Sequence, residues 1–213
     1  MVEPTGHVDT FCADRLPPRE LWPVREWTGI PELTYPPRLN AAAEFVDRAV
    51  ANGFGARCAL RWPGGEWTYD ELLEHANRFA RVLVEDLGVV PGNRVLLRGP
   101  NNATLAACWL AVLKAGGVVV CTMPLLRERE LQYVADKAGI SLALTDARFA
   151  DACDAAFRAR RDGTPRSGAR VVRFNDDASG SLEALARGKA VTFENCDTAA
   201  EDTAIIAFTS LKA

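Results

Sequence analysis

Apolar positions along this chain switch between unbroken runs and helical stripes. The clearest switch lies between Arg94 and Pro124. Arg94-Val95-Leu96-Leu97-Arg98 is a short apolar run that stops at Gly99-Pro100. Pro100 has no amide hydrogen to give, and Asn101 or Asn102 can cap a following helix with a side-chain oxygen. From Ala103 to Ala115 the chain is apolar on nearly every face, the mark of a helix buried on more than one side. Lys114 falls in the last turn, where a cation suits the helix dipole, and Gly116 follows as a C-cap. Val118-Val119-Val120-Cys121 is then a β-branched run suited to a strand covered on both faces of a parallel sheet. The connection is long enough for a right-handed βαβ crossover. The pattern predicts an α/β fold, an open and mostly parallel sheet with flanking helices, centred on this unit.

The same reading extends outward. Residues 1–38 carry no period and are rich in Pro and Trp, which predicts an arm laid over the body with Trp22 and Trp27 as anchors. Asn40 to Asn52 predicts a helix with Ala43, Phe45, Val46, Ala49 and Val50 inward, stopped by Gly53 and Gly55. Arg57 to Trp62 and Glu66 to Thr68 flank Pro63-Gly64-Gly65 as a hairpin. Thr68 and Glu71 form a capping box, followed by a stripe of Leu72, Leu73, Ala76, Phe79, Ala80, Leu83 and Leu87 that Gly88 ends. Arg127 to Ala138 predicts a helix and Ser141 to Thr145 a strand. Asp146 can cap a helix from Ala147 to about Arg160. Val171 to Phe174 predicts a strand and Ser181 to Ala186 a short helix. Val191 to Ala199 is irregular, and Thr203 to Ser210 is a last apolar strand. The arginines between Arg158 and Arg173 sit among Gly163, Pro165 and Gly168 and predict a solvated loop.

Composition narrows the function. The 213 residues are 48% hydrophobic and 25% charged, ordinary for a globular protein with a full core. A formal net charge of -3 argues against a nucleic-acid partner. The longest apolar stretch, Ala103 to Cys121, is interrupted by Lys114 and a Gly pair, which argues against a membrane span, and the polar start is not a secretory signal. Six cysteines without a CxxC pair, with Cys108 and Cys121 in segments that read as core, predict reduced thiols and a cytoplasmic setting. With two histidines, no metal site is assigned.

An α/β sheet suggests a nucleotide first. The central turn, Arg98-Gly99-Pro100-Asn101-Asn102, is not G-x-G-x-x-G, and the next strand does not close on an acid for a ribose. There is no G-x-S-x-G elbow and no full Walker A loop.

Three stretches instead resemble the core motifs of the adenylate-forming enzymes, which comprise acyl- and aryl-CoA ligases, amino-acid adenylation domains and luciferases. Trp67-Thr68-Tyr69-Asp70-Glu71-Leu72 is similar to the first motif. Leu113-Lys114-Ala115-Gly116-Gly117 through Pro124 is similar to the second. Ile206-Ala207-Phe208-Thr209-Ser210 is similar to the start of the third, a phosphate loop. The arm from Asp14 to Pro23 and the run from Gly92 to Arg127 resemble the 2-aminobenzoate and benzoate CoA ligases most. Leu125-Leu126 after Pro124, where adenylation domains carry an acid, favours that aryl branch.

The resemblance implies ATP, Mg²⁺ and CoA as cofactors of the full-length family and an aromatic carboxylate as substrate. It implies an acyl-adenylate first and a thioester after rotation of a C-terminal domain. Residue by residue it carries over only Thr209 and Ser210, as ATP contacts; it assigns no catalytic residue here. Thr68, Glu71, Gly116 and Gly117 have structural roles that suffice. After Ser210 the family's glycines are missing, and Leu211-Lys212-Ala213 follows. The expectation is therefore an arm (1–38) and a partial AMP-binding N-terminal domain (39–213) ending inside the phosphate-loop motif, with the C-terminal domain absent. Such a fragment is expected to bind none of the cofactors, to be inactive alone and to be open to self-association through its apolar final strand. The competing expectation is a non-catalytic binding or regulatory module derived from the same fold.

Overall fold

Period-two alternation in four short strands decides the layers. In the computed structural model, which describes residues 4–24, 29–30 and 35–208, the strands are β3 (Arg94–Arg98), β4 (Val118–Thr122), β5 (Leu142–Asp146) and β6 (Arg170–Phe174). All pair in parallel, in the order β4-β3-β5-β6. A separate antiparallel hairpin joins β1 (Cys58–Trp62) to β2 (Gly65–Thr68). Val95, Leu97, Val119, Leu142, Leu144, Val172 and Phe174 point to one face, into a core shared with helices α1 (Tyr69–Arg81), α2 (Ala103–Lys114) and α5 (Leu182–Ala186). Leu96, Val120 and Ala143 point to the other, against α3 (Glu128–Lys137) and α4 (Ala150–Arg158). The predicted open parallel sheet with flanking helices is the observed one.

The predicted caps close their helices. Thr68 Oγ1 accepts from the Glu71 amide at 3.2 Å and Glu71 Oε2 accepts from the Thr68 amide at 2.7 Å. Asn102 caps α2 by accepting from the Leu105 amide at 2.8 Å. Gly116 takes φ +72°, the left-handed turn that lets β4 follow.

Four expectations are corrected. Phe45 was placed inward but is 60% exposed and tilts against Trp109 at 6.2 Å. Residues 41–54 wind through two π turns, Ala43–Asp47 and Val50–Phe54. A π turn bonds i to i+5, so the buried face drifts to Ala42 and Val46. Lys114 does more than complement a dipole. Its side chain is fully buried and donates to Asp47 at 2.5 Å, while Asn195 donates to the same carboxylate at 3.0 Å. Burial draws the Lys114 pKa down, against the opposing pull of Asp47. Within the basic stretch, Arg166 departs from the solvated loop: it is buried and paired with Asp136 of α3 at 2.6 Å, whereas the other arginines face water, Arg173 while paired with Asp154 at 2.6 Å. Trp22 donates to Pro17 O at 2.8 Å inside the arm. The anchors are instead Phe11, whose ring lies 4.2 Å from the Arg94 guanidinium carbon, and buried Cys12. Trp27 lies outside the described residues.

Helices α2 and α4, which follow β3 and β5, lie on opposite faces, so a crevice should open where the loops after β3 and β5 part. Side chains fill it. Fully buried Asp146 accepts from Arg148 Nε and NH2 at 2.9 Å each, from Asn175 at 2.8 Å and from Asn102 at 3.2 Å. Burial alone would raise this carboxyl; the hydrogen bonds from Arg148 and Asn175 override it and hold it at about 2. Asn175 reaches Asp146 from φ +52°, a conformation asparagine tolerates.

Two predictions follow from these buried charges. Asp47→Ala leaves the Lys114 ammonium without a partner and should cost about 3 kcal/mol in urea denaturation, the low end for breaking a buried pair because Asp47 is partly exposed. The depressed Asp146 pKa stabilises the fold above the unfolded value of 3.8 and stops doing so as pH falls through about 2. Asp146→Asn should therefore be less stable than wild type at pH 7, with the gap closing between those two values in a series of pH-dependent melts.

Candidate functional site

In an open parallel sheet the useful ground lies beyond the carboxyl ends of the strands. β3 ends there on Arg98, which is 2% exposed. Its guanidinium donates to Pro124 O and Leu126 O at 2.7 Å each, to Met123 O at 3.2 Å and to Phe149 O at 3.3 Å. Burial lowers its pKa from the usual guanidinium range. A guanidinium stays charged in proteins, and its planar fork can serve several carbonyls at once. Arg98 thus holds the loop after β4 as a fixed arch, with the Met123 and Leu125 side chains 64% and 79% exposed on it. This loop closes the second motif. The Gly116-Gly117 part of that motif lies at the far end of β4, where it turns the chain into the strand.

The stretch leading to the third motif runs beside the same strand. Over the described residues 203–208 it forms one parallel bridge, Ile205 to Val119, rather than a strand; the end of the strand expected up to Ser210 lies outside the described residues. The Val119 amide donates to Ala204 O and the Ile206 amide donates to Val119 O, both at 2.9 Å. Ile206 and Phe208 pack on the α3 side, where Phe208 meets Tyr133 edge-on at 6.2 Å. Ile205 stays 48% exposed along the sheet edge. Thr209 and Ser210, the residues singled out from sequence as ATP contacts, lie outside the described residues.

On the opposite, α2 side of β4 lies a hollow of about 600 Å³. Phe45, Trp62, Leu105 and Trp109 wall it, Asn101 and Asn102 stand at the start of α2, and Cys121 sits at its lip. Cys121 was read as core but is exposed, because β4 emerges from under the helices at that point. The volume and the aromatic lining suit the apolar body of a small molecule. Its one cationic wall residue, Arg61, is already bound by Glu66 at 2.8 Å and 3.0 Å. Sequence reasoning missed both Arg98 and this hollow. A strand ending in arginine just before Gly99-Pro100 was the available signal for the first.

His75 stacks on Trp67 at 4.1 Å, and burial lowers its pKa. That is a packing role, as expected for a lone helical histidine. No three His, Cys, Asp or Glu side chains converge as a metal site among the described residues. No described helix is long and apolar enough to cross a membrane.

Comparison with known proteins agrees with the three motifs. The AMP-binding enzyme family matches residues 47–210. An uncharacterized acyl–CoA ligase of Bacillus subtilis is 25% identical over 84% of this chain and 33% of its own length. The benzoate–CoA ligase of Thauera aromatica is 29% identical over 54% of this chain and 22% of its own. The chain thus spans a third or less of the curated relatives it matches. Among solved structures, an anthranilate CoA ligase in complex with anthranoyl-AMP superposes with a TM-score of 0.71 at 21% identity, over 83% of this chain and 32% of that one, which speaks for the fold. MatB from Rhodopseudomonas palustris gives 0.68 at 27% identity, over 82% and 33%. With the family model matching residues 47–210, most of this chain, the chain belongs to the AMP-binding, adenylate-forming enzymes.

Proposed function

We propose that this chain is the amino-terminal portion of an ATP-dependent aryl-acid CoA ligase of the 2-aminobenzoate or benzoate type. In such an enzyme the carboxylate, a poor acyl donor, attacks ATP to give an acyl-adenylate and pyrophosphate. The CoA thiol then displaces AMP to give the thioester. Stabilising charge on the phosphates is the main catalytic task. In this reading residues 1–38 are an arm, and residues 39–213 are part of the AMP-binding N-terminal domain, with Thr209 and Ser210 as ATP contacts.

One observation carries the reading. The segment preceding Thr209 runs parallel to β4, and the loop that closes the second motif leaves the carboxyl end of that same strand. Leu125-Leu126 in that loop supports the aryl branch, as does similarity to a benzoate–CoA ligase and to a 3-hydroxybenzoate/4-hydroxybenzoate–CoA ligase of Thauera aromatica. Six free thiols support a cytoplasmic setting, and the exposed edge at Ile205 supports self-association.

ATP–pyrophosphate exchange tests the proposal. The 213-residue chain should give no exchange above background with benzoate, 2-aminobenzoate or a long-chain fatty acid; turnover by it would overturn the fragment reading. Joined in register to the remaining part of the Thauera benzoate–CoA ligase, it should support exchange with benzoate. A folded chimera, checked by circular dichroism, that exchanges no pyrophosphate would count against the assignment.

A further inference from the structure

The segment 203–208 is held lightly where it meets the sheet and firmly where it begins. Along β4 it makes two backbone hydrogen bonds, both to Val119. Register in so short a pairing is weakly specified. A slip of one residue would move the segment by about 3.3 Å and turn Ile206 and Phe208 away from α3.

Its base is fixed by the amino-terminal arm. Asp202 accepts from the Thr5 hydroxyl at 2.5 Å, and from the Gly6 and Ala199 amides at 2.8 Å each. Gly6 passes so close to the 197–198 backbone that a Cβ there would lie 2.5 Å from Asp197 O and 2.9 Å from Thr198 Cα. On the far side of that backbone, Leu39 and Thr198 exchange hydrogen bonds at 2.9 Å and 2.6 Å, and the Ala200 amide donates to Pro37 O at 2.8 Å. Arg38 grips the Asp197 carboxylate at 2.7 Å and reaches Pro4 O at 2.6 Å. Beyond Gly6 the arm is tied to the amino end of β3. The Val8 and Asp9 amides donate to Pro91 O at 3.0 Å and 2.9 Å, and Asp9 pairs with Arg94 and with Asn93.

We propose that Asp202, gripped by Thr5 and Gly6, is a positioning residue that sets the register of 203–208 against β4. The arm transfers the height of β3 to this segment, because one stretch of chain, residues 5–9, touches both. The consequence for catalysis rests on the ligase reading above: 203–208 leads directly to Thr209 and Ser210, and a displacement of about 3.3 Å exceeds what a hydrogen bond to phosphate tolerates.

Hydrogen–deuterium exchange on the 213-residue chain, without nucleotide, tests the inference. In Asp202→Ala the peptide covering 203–208 should exchange about tenfold faster or more, while peptides from β3 and β5 stay within about twofold of wild type. Asp202→Asn can keep all three contacts, with its amide oxygen facing the two N–H groups and its NH₂ facing the Thr5 oxygen. It should therefore restore protection. Thr5→Val removes one of the three bonds to Asp202, together with the one the Thr5 hydroxyl accepts from the His7 amide at 3.0 Å, and should raise exchange of the same peptide by a smaller factor, which keeps the test decisive if Asp202→Ala does not fold. Unchanged protection of 203–208 in both Asp202→Ala and Thr5→Val overturns the proposal. So does equal acceleration of every peptide, which would make Asp202 a general stabiliser. The readout needs no ATP, so its failure leaves the ligase assignment standing, and a chimera that fails to exchange pyrophosphate leaves the register clamp standing.

Discussion

The central strand carries a guanidinium at each end, and neither is left in water. Arg94 is 8% exposed and Arg98 is 2% exposed. Removing a charge from water costs several kcal/mol unless its donors are met. The two ends meet that demand differently. Arg94 has a carboxylate, Asp9, together with the carbonyls of Gly92, Ala138 and Gly139. Arg98 has carbonyls alone among its hydrogen-bond partners, drawn from the loop after β4 and the turn after β5. Satisfying these two side chains obliges the arm, the α3–β5 turn and both carboxyl-end loops to converge on β3. The places of α2 and α3 follow, because their strands β4 and β5 pair with β3 directly.

The layers were legible because apolar side chains alone determine them. Val95 and Leu97 against Leu96 is a period-two pattern that any reader of the chain can mark, and the caps at Thr68, Asn102 and Asp146 sit where side-chain oxygens precede helical stripes. What escaped were features that depend on polar partners distant in sequence. Lys114 looks like a helix-end cation until Asp47 arrives from 67 positions away. Arg166 looks like a loop cation until Asp136 does the same from 30 positions away. Phe45 was misjudged because the reading assumed 3.6 residues per turn where the helix winds wider. The site was less legible than the fold for the same reason. The motifs located the strand, whereas the carbonyl cage around Arg98 and the aromatic hollow are products of assembly.

The two candidate grounds for a ligand lie on opposite faces of one edge strand. The hollow walled by Trp62 and Trp109 belongs to the α2 face, while Ile206 and Phe208 pack toward α3. β4 therefore works as a partition, and its carboxyl end, with Cys121 on one side and the Arg98-held loop above, is where the two faces meet.

The arm also imposes an order of events. Thr5 and Gly6 bind a residue 197 and 196 positions later. At roughly 5–20 residues per second, synthesis leaves the arm without that partner for on the order of 10–40 s. For the earlier part of that interval Phe11 also lacks the Arg94 and Gly139 surface it finally covers. The arm is thus made well before the residues it finally docks on. Its prolines, which have no amide hydrogen for a ladder, make it a poor partner for strand pairing while it waits.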